Sequence, residues 1–228
     1  MSQTWFHLNS GCGSAARNMA VDEALLEIVA VVGQPIIRFY GWTEAAATFG
    51  YSQRHEDIAQ ATQLRPLIRR MTGGGLVPHG MDWTYAFVVP PGHEWFELRA
   101  IESYRRIHEW IHRAFAAIGV VAEIAPGGRK EIAGQCFAGW EQFDLLWQGR
   151  KIAGAAQRRN QQGLLIQGSI QPPPIGLQGH AWTRAMIDMA RYEWNVSWDS
   201  YPATSAWEQR IDSLVREKYG CADYNKKR

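Results

Sequence analysis

Arg69-Arg70-Met71-Thr72-Gly73-Gly74-Gly75-Leu76-Val77-Pro78-His79 sets two guanidiniums directly before three consecutive glycines and a histidine. Leu67-Ile68 before this stretch and Thr84-Tyr85-Ala86-Phe87-Val88-Val89 after it read as strands. A glycine turn therefore sits between two strands, with Arg on one side and His on the other. Glycines permit positive φ and let a ligand approach the backbone closely. Successive bare N–H groups can also form an anion-binding nest. Taken alone, the same residues also fit a β-hairpin with a flexible tip and a solvated Arg pair. No Gly-Lys-Ser/Thr follows, which excludes a Walker loop. The glycines are contiguous and lead into a strand, which excludes a dinucleotide fingerprint.

Composition narrows the class. At 228 residues the chain is expected to form one domain over 1–228, with the last residues, 221–228, frayed. Basic and acidic residues nearly balance, 24 against 22, which does not suit a nucleic-acid binder. The basic residues are mostly Arg, with pairs at 69–70, 105–106 and 158–159. Such pairs suit carboxylates, phosphates or an acidic partner, or are ordinary solvated charges. The three cysteines, Cys12, Cys136 and Cys221, are far apart and form no Cys-x-x-Cys, which points to a reducing compartment. Met1 to Ser10 lacks a charged-then-apolar pattern, and no apolar run reaches membrane-spanning length, so a cytoplasmic location without membrane contact is expected. The eleven tryptophans suit broad apolar walls as well as ordinary core.

Along the chain, Trp5-Phe6-His7-Leu8 is a short strand that Gly11-Cys12-Gly13 should break. Ser14 can cap a helix whose face carries Met19, Val21, Ala24, Leu25, Ile28 and Val29, and which Gly33 ends. Cys12, beside that helix start, reads as a buried structural thiol. Residues 36–40 and 47–51 read as strands, and 53–64 as a polar, partly helical connection. Ile101, Tyr104, Ile107, Ile111, Phe115 and Ile118 recur at spacings of three and four, marking a helix that Gly119 stops. Within it His108-Glu109-Trp110-Ile111-His112 matches the zinc-protease pattern, but its histidines flank the apolar stripe and no Gly-x-x-His follows. No metal site is assigned. Residues 181–191 and 202–219 carry two further helices.

The second informative block is a β-meander of residues 143–147, 150–157 and 164–170. Its middle strand carries the small residues Ala153, Gly154, Ala155 and Ala156, which leave room for something to lie against the backbone. Lys151, one of very few lysines outside the C-terminal tail of an Arg-rich chain, precedes them. A lysine can be desolvated, shift its pKa and donate to a carbonyl. A plain strand-edge lysine is the other reading.

The two blocks together resemble the biotin/lipoate protein ligase and lipoyl(octanoyl)transferase superfamily. Arg69-Arg70-x-Thr72-Gly73-Gly74-Gly75-x-Val77-x-His79 looks like its Arg-Arg-x-Ser/Thr-Gly-Gly-Gly signature, and Lys151-Ile152-x-Gly154-x-Ala156-Gln157 like its lysine segment. Asn18 to Leu25 is similar to its first helix, and Cys136-Phe137-Ala138 resembles the cysteine block of its transferases. Where the family has an acidic residue after the histidine, this chain has Gly80, with Asp82 two further on. The resemblance implies an α+β fold, a mostly antiparallel mixed sheet flanked by helices, as in a biotin/lipoate ligase-like catalytic domain.

For function it implies an octanoyltransferase. Octanoyl would pass from acyl carrier protein, through a thioester on Cys136, to a lysine of a lipoyl domain of a 2-oxoacid dehydrogenase complex or the glycine cleavage H protein. The implied catalytic residues are Cys136 and Lys151. Arg70, Thr72, Gly73, Gly74, Gly75, His79, Gly154, Ala155 and Ala156 would bind substrate. No cofactor is implied. ATP and Mg would enter only if the chain were a lipoate–protein ligase. An octanoyl amidotransferase between lipoyl proteins and a non-catalytic acyl-binding module are the remaining alternatives.

Overall fold

The computed structural model describes residues 3–130, 137 and 139–227. Elements follow in chain order: β1 (Gln3–Gly13), α1 (Ala15–Val32), β2 (Ile36–Trp42), β3 (Ala46–Phe49), α2 (His55–Ala61), β4 (Leu67–Arg69), β5 (Val77–His79) and β6 (Trp83–Val89). Then come α3 (Glu94–Glu97), α4 (Ala100–Ala117), β7 (Glu123–Ile124), β8 (Arg129–Lys130), β9 (Gly139–Trp140), β10 (Leu145–Trp147), β11 (Arg150–Asn160) and β12 (Gly163–Ile170). The chain closes with α5 (Gly179–Trp194), β13 (Val196–Ser200), α6 (Ser205–Leu214), a π-helical turn (Val215–Tyr219) and α7 (Ala222–Asn225).

The helix ends follow their caps. The Ser14 side chain accepts from Arg17 N at the start of α1, and Gly33 closes it with φ 71°, a left-handed conformation that glycine adopts without strain. On α4 the Glu102 carboxylate accepts from Arg99 N at 3.0 Å.

Eight strands form one sheet in the order β13-β1-β2-β6-β12-β11-β10-β7. β1 runs parallel to both β13 and β2, and every other pair in this sheet is antiparallel. The central strands are buried on both faces, so successive side chains enter different layers. Ile37, Phe39, Tyr85, Phe87, Leu164 and Ile166 face the core built with α4 and α5. Ile36, Tyr40, Ala86, Val88 and Leu165 face the core built with α1 and α6. This is the α+β, mostly antiparallel mixed sheet flanked by helices implied above.

Three local readings need correction. First, the glycine segment is no hairpin tip. β4 and β5 do not pair with each other; both flank β3, in the order β4-β3-β5, parallel on one side and antiparallel on the other. Second, Gly11-Cys12-Gly13 does not end β1. Gly11 takes φ 62° and the register to β2 shifts between Asn9 and Cys12, so the strand continues past an irregularity. Cys12 is exposed there, not buried.

Third, α7 is docked where fraying of 221–228 was expected. Asn225 is buried, and its side-chain oxygen accepts from Arg69 N at 2.8 Å. The Arg69 guanidinium donates to the carbonyls of Tyr224, Asn225, Tyr51 and Gln53. The first arginine of the pair is therefore a structural latch. Asn225→Ala leaves a buried donor unpaired, a loss of about 1–3 kcal/mol. At about 2–4 °C per kcal/mol for a chain of this size, calorimetry should show a clear fall in Tm. An unchanged Tm would contradict the docking.

Candidate active site

The glycine segment folds against β11. Gly74 takes φ 85°, and a Cβ placed on it would meet Ala156 Cβ at 3.6 Å and Arg70 Nη2 at 3.3 Å. Gly50 lies beneath it so closely that a Cβ there would stand 2.0 Å from the Gly74 carbonyl oxygen. Arg70 braces the loop from inside. Its Nη2 donates to the Gly73 and Gly75 carbonyls, each at 2.9 Å, and its Nη1 to Thr48 Oγ1 at 2.9 Å.

His79, arriving on β5, is buried and stacked on Trp42 at 3.7 Å between ring centroids. Its Nδ1 donates to Asp82 Oδ2 at 2.8 Å, and its Nε2 accepts from the Thr48 hydroxyl at 2.7 Å. Asp82 also accepts from Ser169, Thr84 and the Gly80 N–H. Burial would push this carboxyl up, but the His79 contact and the Ser169 and Gly80 hydrogen bonds outweigh it and hold it below its ordinary value. Burial lowers His79 despite Asp82, so the imidazole stays neutral. The acidic partner that Gly80 displaces from its place after the histidine is thus supplied by Asp82.

These parts enclose one cavity on the α1 face of the sheet. Arg70, Gly74, His79, Gly154, Ala155 and Ala156 line it, together with Phe137. Met19, Tyr40 and Val77 also line it, and Gln167 and Ser169 on β12 form part of its wall. Thr72 does not line it. Its hydroxyl donates to Gln167 Oε1 at 2.8 Å and ties the loop to the wall.

Lys151 does not line it either, but adjoins it. The side chain curls back over residue 154, where a Cβ would stand 2.5 Å from Lys151 Cε and 2.6 Å from Nζ. The room left by the small residues is therefore partly filled by the chain's own lysine. The ammonium stands 2.7 Å from Asp144 Oδ2 and 5.3 Å from the centre of the Phe137 ring. Cys136, the expected nucleophile, lies outside the described residues.

Several residues of the site escaped sequence reasoning. Thr48, Gln167 and Asp144 belong to no motif, and only their three-dimensional pairing reveals them; Asp82 was visible two places after Gly80, but not its bond to His79. The His-Glu-x-x-His stretch has other employment. His108 Nδ1 donates to the Tyr104 carbonyl at 2.8 Å and His112 Nε2 to the Ala122 carbonyl at 3.0 Å. Among the described residues no cluster of three or more His, Cys, Asp or Glu could hold a metal. No helix among them is long and apolar enough to cross a membrane.

Known proteins share this architecture. The sequence model described as the lipoyl protein ligase A/B catalytic domain matches residues 14–171. Octanoyltransferase LipM of Bacillus subtilis is 37% identical over 181 residues, 74% of this chain and 65% of its own length. Its namesake in an Exiguobacterium species is 35% identical over 181 residues, 73% of this chain and 65% of its own. The chain thus spans about two thirds of the length of these curated relatives. Among solved structures, lipoate-protein ligase A bound with ATP superimposes with a TM-score of 0.79 at 19% identity, covering 99% of each chain. The T. acidophilum protein Ta0514 with bound lipoic acid gives 0.78 at 19%, covering all of each chain.

Burial lowers both His79 and His108, the latter to about 4. The unfolded chain therefore binds more protons than the native one below the ordinary histidine value of 6.5, and stability falls as pH drops from there. Asp82 adds a further loss only below 3.8, its stabilising ionised form being present above that. Urea unfolding at several pH values between neutrality and 4.5 should show this decline. His108→Phe should flatten it by up to one proton, about 1.4 kcal/mol per pH unit. An unaltered slope would contradict the neutral His108.

Proposed function

The chain belongs to the lipoyl protein ligase A/B catalytic domain family, and we propose that within it the chain is an octanoyltransferase working through a thioester on Cys136. The observation that carries the reading is the juxtaposition of this partly apolar cavity with the Lys151 ammonium, which lies over the lining residue Gly154. Met19, Val77, Ala155 and Ala156 offer an alkyl chain aliphatic surface, at about 0.8 kcal/mol per buried methylene. A carbonyl carried against Gly154 would meet that ammonium.

In the first step the Cys136 thiolate attacks the carbonyl carbon of octanoyl acyl carrier protein. The carbonyl's bond to the carrier sulfur breaks, the departing thiolate takes a proton from solvent, and a new thioester forms on Cys136. In the second step a neutral lysine amine of a lipoyl domain attacks that carbonyl. An amide forms, the Cys136 thiolate departs, and the amine's proton passes to solvent. Lys151 acts in both steps through charge: an adjacent ammonium favours the thiolate and supports the oxyanion. Arg70 and the glycine loop shape the wall and exclude water, and the balanced chemistry calls for neither ATP nor a metal.

The test is intact-protein mass after mixing with octanoyl acyl carrier protein, without ATP and with chelator present. Wild type should gain one octanoyl group, lose it to hydroxylamine and pass it to a lipoyl domain, while Cys136→Ser forms no thioester. Modification of the lipoyl domain only when octanoate or lipoate and ATP are supplied would make the chain a ligase. An adduct that is retained and never transferred would make it an acyl-binding module.

A further inference from the structure

Asp144 is not part of any motif, yet it is fully buried, and everything around it converges on its two oxygens. Oδ2 accepts from the Glu141 N–H at 2.7 Å and stands 2.7 Å from Lys151 Nζ. Oδ1 accepts from the Tyr104 hydroxyl at 2.5 Å. The lysine side chain is 4% exposed and the carboxylate 0%. An ammonium so shielded from water keeps its charge only beside an opposite charge, and a carboxylate so buried needs donors on both oxygens.

We propose that Asp144 is the positioning residue of the site, holding the Lys151 ammonium charged over Gly154 at the cavity edge, with Tyr104 fixing the carboxylate's orientation. The inference rests on the octanoyltransferase reading for its purpose, but not for its geometry. Three further observations support it. Gly154 leaves the one place the folded-back ammonium occupies. Ala155 N approaches the Tyr104 hydroxyl at 3.4 Å, tying that phenol to the cavity strand. The third concerns competing charge.

Among the described residues, the titratable groups facing the pair come from β6 and α4. Tyr85 on β6 is neutral, burial raising it far above its ordinary value. On α4, Tyr104 is the donor already described. His108, its ring tilted against that of Tyr104 at 4.3 Å between centroids, has its Nε2 4.0 Å from Asp144 Oδ1 and is pushed down to about 4 by burial. It is therefore uncharged at neutral pH and does not compete. Among the described residues, Lys151 is the charged cation that meets this carboxylate.

The test reads Lys151 directly, apart from turnover. Trace acetylation with acetic anhydride across pH, followed by peptide mass spectrometry, gives the midpoint at which Lys151 becomes a nucleophile. Asp144→Asn should lower that midpoint by about 1 pH unit or more, and the alkaline limb of the octanoyl-transfer profile should move down with it. Gly154→Ala keeps Asp144 but fills the ammonium's place. It should speed Lys151 acetylation at fixed pH and lower kcat about 100-fold with little change in KM. An unmoved midpoint in Asp144→Asn, or unaltered acetylation and kcat in Gly154→Ala, would overturn the proposal. A shifted midpoint in a protein whose wild type transfers no octanoyl group would leave Asp144's role standing and refute the octanoyltransferase reading alone.

Discussion

Asp22, on α1, is a carboxylate that water does not reach, and the cavity is assembled around it. One oxygen accepts from Arg38 Nη1 at 2.5 Å; the other accepts from the Tyr40 hydroxyl at 3.0 Å and Gln167 Nε2 at 2.6 Å. Gln167 in turn accepts from Thr72 of the glycine loop. A single buried charge thereby joins the first helix, two strands of the main sheet and the loop. The alternation along β2 explains its need: Arg38 shares a face with Ile36 and Tyr40, so its guanidinium enters the α1 core and requires a counter-charge there. Removing one partner of such a pair leaves the other uncompensated, at about 3–5 kcal/mol.

The same arrangement of a buried carboxylate beside a cation or imidazole occurs three times among the described residues. Arg38 has Asp22, His79 has Asp82, and Lys151 has Asp144. In the last two, the carboxylate comes from a turn beside the strand carrying its partner. The effect on chemistry is rigidity. Arg70, Thr48, His79 and Asp82 form a directional run of hydrogen bonds in which each group has its donor and acceptor roles assigned, so the loop's carbonyls and the cavity wall are held without titrating near neutral pH.

What could be read from sequence follows from which interactions are local. The bounds of α1 and α4 were visible because capping and the spacing of Ile107, Ile111 and Phe115 act within a few residues. The meander of β10 to β12 was visible because short turns at Gln148-Gly149 and Asn160–Gly163 set it. The two motif blocks were visible as glycines and cations, and the structure places Arg70 and Gly154 on one cavity. What remained hidden depends on distant pairing. Nothing near Arg69 tells that Asn225 caps it from 156 positions away. The partition of β4 and β5 around β3 depends on a parallel pair that no turn encodes. Asp144 looks like any polar residue before a strand until Lys151 folds back upon it. The exposure of Cys12 likewise reflects β1 continuing through an irregularity, which local glycines disguised as an ending.

In the proposed acyl-enzyme the acyl carbonyl lies beside the Lys151 ammonium while the alkyl chain runs between the glycine loop and β11. A crystal structure of the protein trapped with its octanoyl thioester tests this most directly. The expected result is a carbonyl oxygen within hydrogen-bonding distance of Lys151 Nζ and an alkyl chain passing Ala156 and Val77 toward Met19. An octanoyl group attached away from Cys136, or a chain lying outside this cavity with Lys151 still turned wholly to Asp144, would contradict it.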